Sequence, residues 1–247
     1  MSTAFQIVIQ ARSSNQRFPR KLWADFHGLP VLTHVLNNCM AAARYLNSYT
    51  TRTSIDTRVT LATPVGDPIA TEWREYCAEL GIMMLEGDAD DVLARYLTAL
   101  RIGRSDYIVR VTADCPLLSR YVISRHIRLA MNQQYDYLTN GIEPFRTAPD
   151  GFDCEVISRR LLEHVGQEAT EPEDREHVTS YVHRNLLKAM PGVRMGFIMH
   201  GMGSMLDCKL SVDTVEDLER LRDVQGVWNE KRRLAIARFG KENVYDI

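Results

Sequence analysis

The stretch Phe5–Lys21 reads FQIVIQARSSNQRFPRK. Phe5–Gln10 is a short run of apolar, β-branched residues that ends in a polar one, the pattern of a buried strand. Four cations follow within the next eleven positions: Arg12, Arg17, Arg20 and Lys21. A charge run of this kind is commonly a solvated loop. Here no acid lies among the cations, and the run sits at a strand end, where a turn offers backbone N–H groups to an anion. Arginine forks match phosphate oxygens and lysine adds a point charge. The segment therefore reads as a polyphosphate cradle. It is neither a Walker loop, since GxxxxGK[ST] is missing, nor a dinucleotide fingerprint, since GxGxxG is missing.

Outward from this stretch, short apolar runs alternate with helical patterns. Arg58–Thr63, Ile82–Leu85 and Tyr107–Thr112 are the other strand candidates of the first half. Residues 28–46 place Val31, Leu32, Val35, Leu36, Cys39, Met40 and Ala43 on one helical face. Residues 89–102 do the same with Val92, Leu93, Tyr96, Leu97 and Leu100. Such alternation predicts βαβ units and a mostly parallel sheet. The second half offers strands at Asp136–Asn140, Cys154–Ser158, Arg194–Met199 and Lys209–Val212. It offers helices near 119–133, 158–167, 172–188, 214–227 and 229–239. The expected organisation is one α/β domain over 1–247, with an excursion at 140–190 that serves as a lid, acceptor-binding segment or dimer arm.

With 247 residues, 45% hydrophobic and 25% charged, the chain is long enough to bury a sizeable core without metal or disulfide staples. The net charge of −2 gives no reason to expect nucleic acid or an anionic membrane as a partner. No apolar stretch is long enough to span a bilayer, and no signal peptide is evident. Five scattered cysteines without a CxxC spacing predict a reduced, cytoplasmic protein. The charge is unevenly placed, however. Residues 1–60 carry seven basic and two acidic residues, a net of +5, and residues 61–120 carry a net of −4. That asymmetry predicts a local anion site.

Two aspartates complete the pattern. Asp114 follows the Tyr107–Thr112 run, and Asp213 follows the Lys209–Val212 run. Carboxylates at neighbouring strand ends can hold Mg²⁺ against a nucleotide phosphate. Each alone has a simpler reading: Asp213 as a helix cap, Asp114 as a turn residue. Their weight comes from occurring together with the basic loop.

At this point the chain resembles the bacterial cytidylyltransferases that activate acidic sugars, most of all the spore-coat polysaccharide branch. Gln10-Ala11-Arg12 with Arg17, Pro19 and Lys21 resembles their opening motif. Further likeness lies in Ala62-Thr63; Gly87 through Asp90-Asp91-Val92-Leu93 with Arg95-Tyr96; Val109-Arg110-x-Thr112-x-Asp114-Cys115-Pro116-Leu117; Asp136-Tyr137 with Asn140; Gly151-x-Asp153-x-Glu155-Val156; Arg175-Glu176-His177-Val178-Thr179; and Val212-Asp213 with Glu216-Asp217-Leu218. These segments span about residues 5–220.

The resemblance implies a Rossmann-like, mostly parallel twisted sheet with helices on both faces, often dimeric. It implies attack of a sugar oxygen on the α-phosphate of CTP with release of pyrophosphate. The acceptor is a sugar acid or a sugar phosphate. By motif position, Arg12, Arg17 and Lys21 hold the triphosphate, and Asp114 and Asp213 hold Mg²⁺. Gln10, Ala11, Thr63, Gly87 and Thr112 lie near the nucleotide. Asn140, Asp153, Glu155, Arg175 and His177 face the acceptor. The loop departs from the family habit at Ser14 and Arg20, where glycine is common, and at Asn15, where serine is common.

Several residues carry two readings. His177 is either a base for the acceptor hydroxyl or a helix histidine bonded to a carboxylate. Asp153 and Glu155 alternate on a strand and share a face; they bind sugar hydroxyls or pair with the basic loop. Arg110, Arg146, Arg159, Arg160 and Arg175 are the candidate partners for a sugar carboxylate. Cys115 reads as structural, His200 as surface or packing, and Met195, Met199, Met202 and Met205 as adaptable packing at a dimer contact. Two other functions fit the residues: another sugar nucleotidyltransferase or glycosyltransferase, and a non-catalytic nucleotide-binding homologue.

Overall fold

In the computed structural model, which describes residues 2–48, 54–185, 192–200 and 206–224, the opening strand runs through the middle of the molecule. This strand, β1 (Thr3–Gln10), is buried at Phe5, Ile7, Val8 and Ile9, so an apolar run without polar alternation is what its place demands. A 3₁₀ turn at Lys21–Trp23 and the small hairpin of β2 (Asp25–Phe26) and β3 (Leu29–Pro30) lead into α1 (Val31–Asn47). Then come β4 (Ile55–Pro64), α2 (Pro68–Glu72), α3 (Arg74–Leu80), β5 (Met83–Gly87), α4 (Val92–Gly103), β6 (Tyr107–Thr112) and α5 (Arg120–Gln133). The chain continues through β7 (Tyr137–Thr139), β8 (Glu155–Ser158), α6 (Arg159–Glu168), α7 (Pro172–His177), α8 (Ser180–Asn185) and β9 (Met195–Phe197). Residues 215–224 are helical.

The seven-stranded sheet has the order β5-β4-β1-β6-β8-β7-β9. Four strands, β5, β4, β1 and β6, are mutually parallel; β8 runs antiparallel between β6 and β7. One face packs Ile7, Ile9 and Val109 against α1 and α5, and the other packs Val8, Ile108 and Ile157 against α4 and α6. The alternation predicted a mostly parallel sheet of βαβ units, and the architecture is the Rossmann-like α/β sheet that the resemblance implied, with helices on both faces. Register brings Gln10 beside Ala62 and Thr112, and Pro64 beside Gly87. The carboxyl ends of the four parallel strands thus form one rim, where open α/β sheets bind ligands.

Several elements differ from the sequence reading. Residues 209–212 form no strand; Lys209 makes only an isolated bridge to Asp150. The helix expected over 172–188 is broken after His177, where the buried Val178 takes φ 60° and ψ −50°, a conformation that a β-branched residue adopts only under constraint. Helices α2 and α3 were not anticipated. Their apolar periodicity is short, although Asp67 caps α2 by accepting from Ile69 N at 2.9 Å, and Pro68 occupies its first turn. Within the 140–190 segment, β8 is an internal strand of the main sheet. The helix expected at 229–239 lies outside the described residues, as do Met202 and Met205.

Candidate active site

The basic loop wraps from the end of β1 back over the rim, and its own side chains organise it. Asn15 Oδ1 accepts from the backbone N–H groups of Arg17 (2.9 Å) and Phe18 (3.0 Å). Asp67 Oδ2 accepts from Ser13 N (2.8 Å) and Ser13 Oγ (2.9 Å). The backbone N–H groups of Ser13, Arg17 and Phe18 are therefore engaged within the chain. Asn15 in place of the family's common serine supplies an Asx turn.

The four cations separate into different roles. Arg20 does not face the rim. It makes a two-pronged contact with Glu72 (2.8 and 3.3 Å) and lies over the Trp23 ring at 4.2 Å. Its φ of 57° is left-handed, the region glycine occupies without cost, which accounts for the glycine common at this position. Arg12 reaches Glu176 at 3.3 Å and is more than half exposed. Arg17 reaches Asp213 Oδ1 at 3.4 Å.

Lys21 is the buried member. Its Nζ lies 2.7 Å from Asp114 Oδ2 and 3.0 Å from Asp213 Oδ1. Burial opposes the ammonium charge, but the two aspartates outweigh it and hold the group above the ordinary lysine range. Asp213 is held below the ordinary carboxylate range: desolvation works against it, and Lys209 and Lys21 prevail. Asp114 follows β6 as expected. Asp213 follows no strand; it is delivered by a backbone bond from Val212 N to Asp114 O (2.9 Å) and by the Lys209–Asp150 bridge. Lys209 closes the cluster at 2.7 Å from Asp213 Oδ2. It was missed in the sequence because it lay inside an assumed strand.

Along the same rim, Gln10 Oε1 and Thr63 Oγ1 are buried without a hydrogen-bond partner among the described residues. Gly87 lies over Arg95; a Cβ there would stand 2.6 Å from Arg95 Cγ. Arg95 is buried, and its Nε and one Nη have no partner among the described residues. Thr112 Oγ1 lies 3.0 Å from Cys115 Sγ. Burial holds that thiol far above its usual range, so Cys115 is an inert packing group.

The residues expected to face the acceptor divide differently. Asn140 is fully buried and closes a loop, donating to Phe152 O and accepting from Cys154 N, both at 2.9 Å. Arg175 ties Asp91 to the carbonyls of Gly166 and Ala169. Asp91 in turn caps α4 through Ala94 N at 2.9 Å. Glu155 is 4% exposed and receives Arg110 Nη1 at 2.7 Å, the Tyr137 hydroxyl, and His183 Nε2 at 3.3 Å. Desolvation would raise its pKa, but Arg110 and these hydrogen bonds pull it down to about 2. Asp153 accepts from Arg146 at 2.8 Å, and burial pushes it up to about 6 despite that contact. Neither acid pairs with the basic loop. His177 is exposed at the end of α7. All five arginines considered for a sugar carboxylate already hold a carboxylate of the chain: Glu155, Asp153, Glu163, Asp136 and Asp91.

The mostly parallel sheet, with a basic loop and two convergent aspartates along one rim, has the nucleotide-diphospho-sugar transferase fold. A cytidylyltransferase family profile matches residues 6–238, nearly the whole chain. The chain belongs to the cytidylyltransferase family. The spore coat polysaccharide biosynthesis protein SpsF of Bacillus subtilis is 24% identical over 87% of this chain and 83% of its own length. A 3-deoxy-manno-octulosonate cytidylyltransferase of Idiomarina loihiensis is 23% identical over 93% of this chain and 88% of its own. An uncharacterized protein of Methanocaldococcus jannaschii is 28% identical; that match spans 61% of this chain and 59% of the archaeal one. Among solved structures, a cytidylyltransferase from Leptospira borgpetersenii superposes with a TM-score of 0.76, 25% identity, and coverage of 99% of this chain and 100% of that one. A CMP:2-keto-3-deoxy-manno-octonic acid synthetase complexed with CTP shares the fold, with a TM-score of 0.61 at 16% identity, covering 92% of this chain and all of that one.

Proposed function

We propose that this chain transfers CMP from CTP to a sugar acid or sugar phosphate destined for a surface polysaccharide, with release of pyrophosphate. The observation that carries this reading is the convergence of Asp114 and Asp213 on the single ammonium of Lys21, with Arg17 beside them. Family membership and the likeness to sugar-activating relatives support the donor and acceptor classes.

The residues fit a bound Mg²⁺. Two hard carboxylate donors from separate loops point at one cationic centre, and the neighbouring soft group, the Cys115 thiol 3.6 Å from Asp114 Oδ1, is buried. Asp114 and Asp213 would hold the ion, which supplies charge neutralisation of the phosphates and of the leaving pyrophosphate when bound. The chain's own residues do the rest. Lys21 exchanges its aspartates for phosphate oxygens. Arg17 and Arg12 lie on exposed arms that fold over the triphosphate. The unpaired groups of Gln10, Thr63 and Arg95 receive the polar edges of the nucleoside, which restores the hydrogen bonds that burial has left unmade. The reaction needs no protein nucleophile. The acceptor oxygen forms a bond to the α-phosphorus as the bond to pyrophosphate breaks, and in-line positioning with charge stabilisation supplies the acceleration.

Localisation and assembly belong to the same proposal. All five cysteines are free, which suits a reducing, cytoplasmic setting. Among the described residues no helix is long and apolar enough to cross a membrane. β9 lies at one edge of the sheet. Beside it Phe145 and Phe197 stack at 4.5 Å while both remain exposed, a surface suited to a homodimer. Incubation with each nucleoside triphosphate, candidate sugars and Mg²⁺, with pyrophosphate as readout, tests the activity. No pyrophosphate with any nucleotide would overturn it. Sedimentation as a monomer would overturn the homodimer.

A further inference from the structure

Asp213 has two oxygens, and the structure treats them differently. Oδ1 faces Lys21 (3.0 Å) and Arg17 (3.4 Å), on the side shared with Asp114. Oδ2 faces Lys209 at 2.7 Å. Lys209 is itself fixed. Its Nζ lies 2.6 Å from Asp217 Oδ2, and its carbonyl accepts from Arg220 at 2.7 Å. Asp217 is anchored in turn by the backbone N–H groups of Asp213 (3.0 Å) and Thr214 (3.1 Å), and by Arg220 (2.8 Å). Lys21 sits between the two aspartates and must yield when another cation takes their shared side. Lys209 sits behind Asp213 and has no such reason to move.

We propose that Lys209 is a positioning residue that keeps Asp213 a one-oxygen ligand and thereby makes the site select Mg²⁺ over Ca²⁺. The proposal rests on the reading of Asp114 and Asp213 as metal ligands. Mg²⁺ demands octahedral geometry, keeps several waters and takes single oxygens from one or two carboxylates. Ca²⁺ accepts six to eight oxygens and readily uses both oxygens of one carboxylate. An ammonium held on Oδ2 withholds the second oxygen, which handicaps Ca²⁺ more than Mg²⁺. Outer-shell partners of metal ligands commonly carry about 10–100-fold in affinity.

The test is metal binding rather than turnover. Mn²⁺ bound to the full chain with CTP is followed by electron paramagnetic resonance and displaced by Mg²⁺ or by Ca²⁺, in the wild type, Lys209→Met and Lys209→Arg. Lys209→Met should improve Ca²⁺ relative to Mg²⁺ by about tenfold, and Lys209→Arg should restore the wild-type ratio. Asp217 keeps Arg220 and two backbone N–H groups in either variant, so the turn stays anchored. A folded Lys209→Met with an unchanged ratio, or equal changes for both ions, overturns the role of Lys209. Should Lys209→Met not fold, the wild type and Lys209→Arg still decide: a wild type that prefers Ca²⁺, or an Arg variant that loses the preference, counts against the proposal. A wild type whose CTP complex recruits no Mn²⁺ overturns the metal reading itself.

Discussion

Lys21 Nζ lies 2.7 Å from Asp114 Oδ2, a contact between residues 93 positions apart that joins the basic loop to the end of β6. The same ammonium reaches Asp213, so the cations and carboxylates of the site neutralise one another in the free chain. Lys21→Met leaves two facing carboxylates and, on the proposed function, removes a phosphate partner. Turnover should fall by about 10²-fold or more, since a charged group aimed at the reacting phosphates contributes on that scale. Pyrophosphate release at saturating CTP measures it. A Met variant within a few fold of wild type would contradict the role of Lys21.

Arg17 and Arg20 look alike in the sequence and should behave differently. Arg17 faces the carboxylate cluster, whereas Arg20 is tied to Glu72 and Trp23. Arg17→Ala should raise KM for CTP by about tenfold, the worth of one charge-assisted contact. Arg20→Gly should change it by less than about threefold, and it relieves the left-handed backbone at that residue. Steady-state kinetics on the two variants separates them, and equal effects would undo the assignment.

Glu155, expected to meet the acceptor, sits in the sheet between Arg110, Tyr137 and His183. Removing its charge leaves the Arg110 guanidinium buried and unpaired. Glu155→Gln should therefore cost about 3–5 kcal/mol of stability. Replacing both members, Glu155→Gln with Arg110→Met, should cost less than the single change. Denaturant unfolding of the three proteins measures this; a Gln variant of native stability would mean the pair is not a structural bond.

How far the sequence carried this reading depends on what held each residue in place. The parallel core was legible because β1, β4 and β6 each carry a short, largely buried β-branched stretch (residues 7–9, 59–61 and 108–111) bounded by helical patterns. Asp114 was legible because it follows such a run. Asp213 lies beside Lys21 and Arg17 without following a strand. Its segment looked like a strand, but it is held by Val212 N on Asp114 O, a backbone contact that leaves no side-chain pattern. The break at Val178 was hidden because a β-branched residue gives no signal for a left-handed turn. The arginines offered for a sugar carboxylate are each paired with a carboxylate of the chain, a state that spacing along the sequence does not report.

Two buried histidines set an acid limit. Burial pulls His126 down to about 3, with His200 and Arg125 adding repulsion, and pulls His200 down to about 4. The unfolded chain binds these protons near pH 6.5 and the folded chain does not, so stability falls as pH drops from about 6.5 toward 4. Asp153 works in the opposite direction. Its folded pKa of about 6 lies above the unfolded value, so its contribution is present at low pH and lost as pH rises to 6. Two groups outweigh one, and Glu155, held down at about 2, acts in the same direction as the histidines below its unfolded value, so stability falls on acidification. Thermal unfolding between pH 7 and 4.5 checks it, and His126→Gln should flatten the slope. A Tm that rises on acidification would reverse the sign.

The most direct measurement compares pyrophosphate release from CTP, Mg²⁺ and a panel of sugar acids and sugar phosphates by the wild type, Asp114→Asn and Asp213→Asn, with folding checked in each. Both aspartates are partly exposed, so both variants should keep the fold. The result expected is turnover by the wild type with CTP and a loss of about 10²-fold or more in each variant. Folded variants that release pyrophosphate at the wild-type rate would contradict the assignment of Asp114 and Asp213 as the carboxylate pair of a cytidylyl-transfer site.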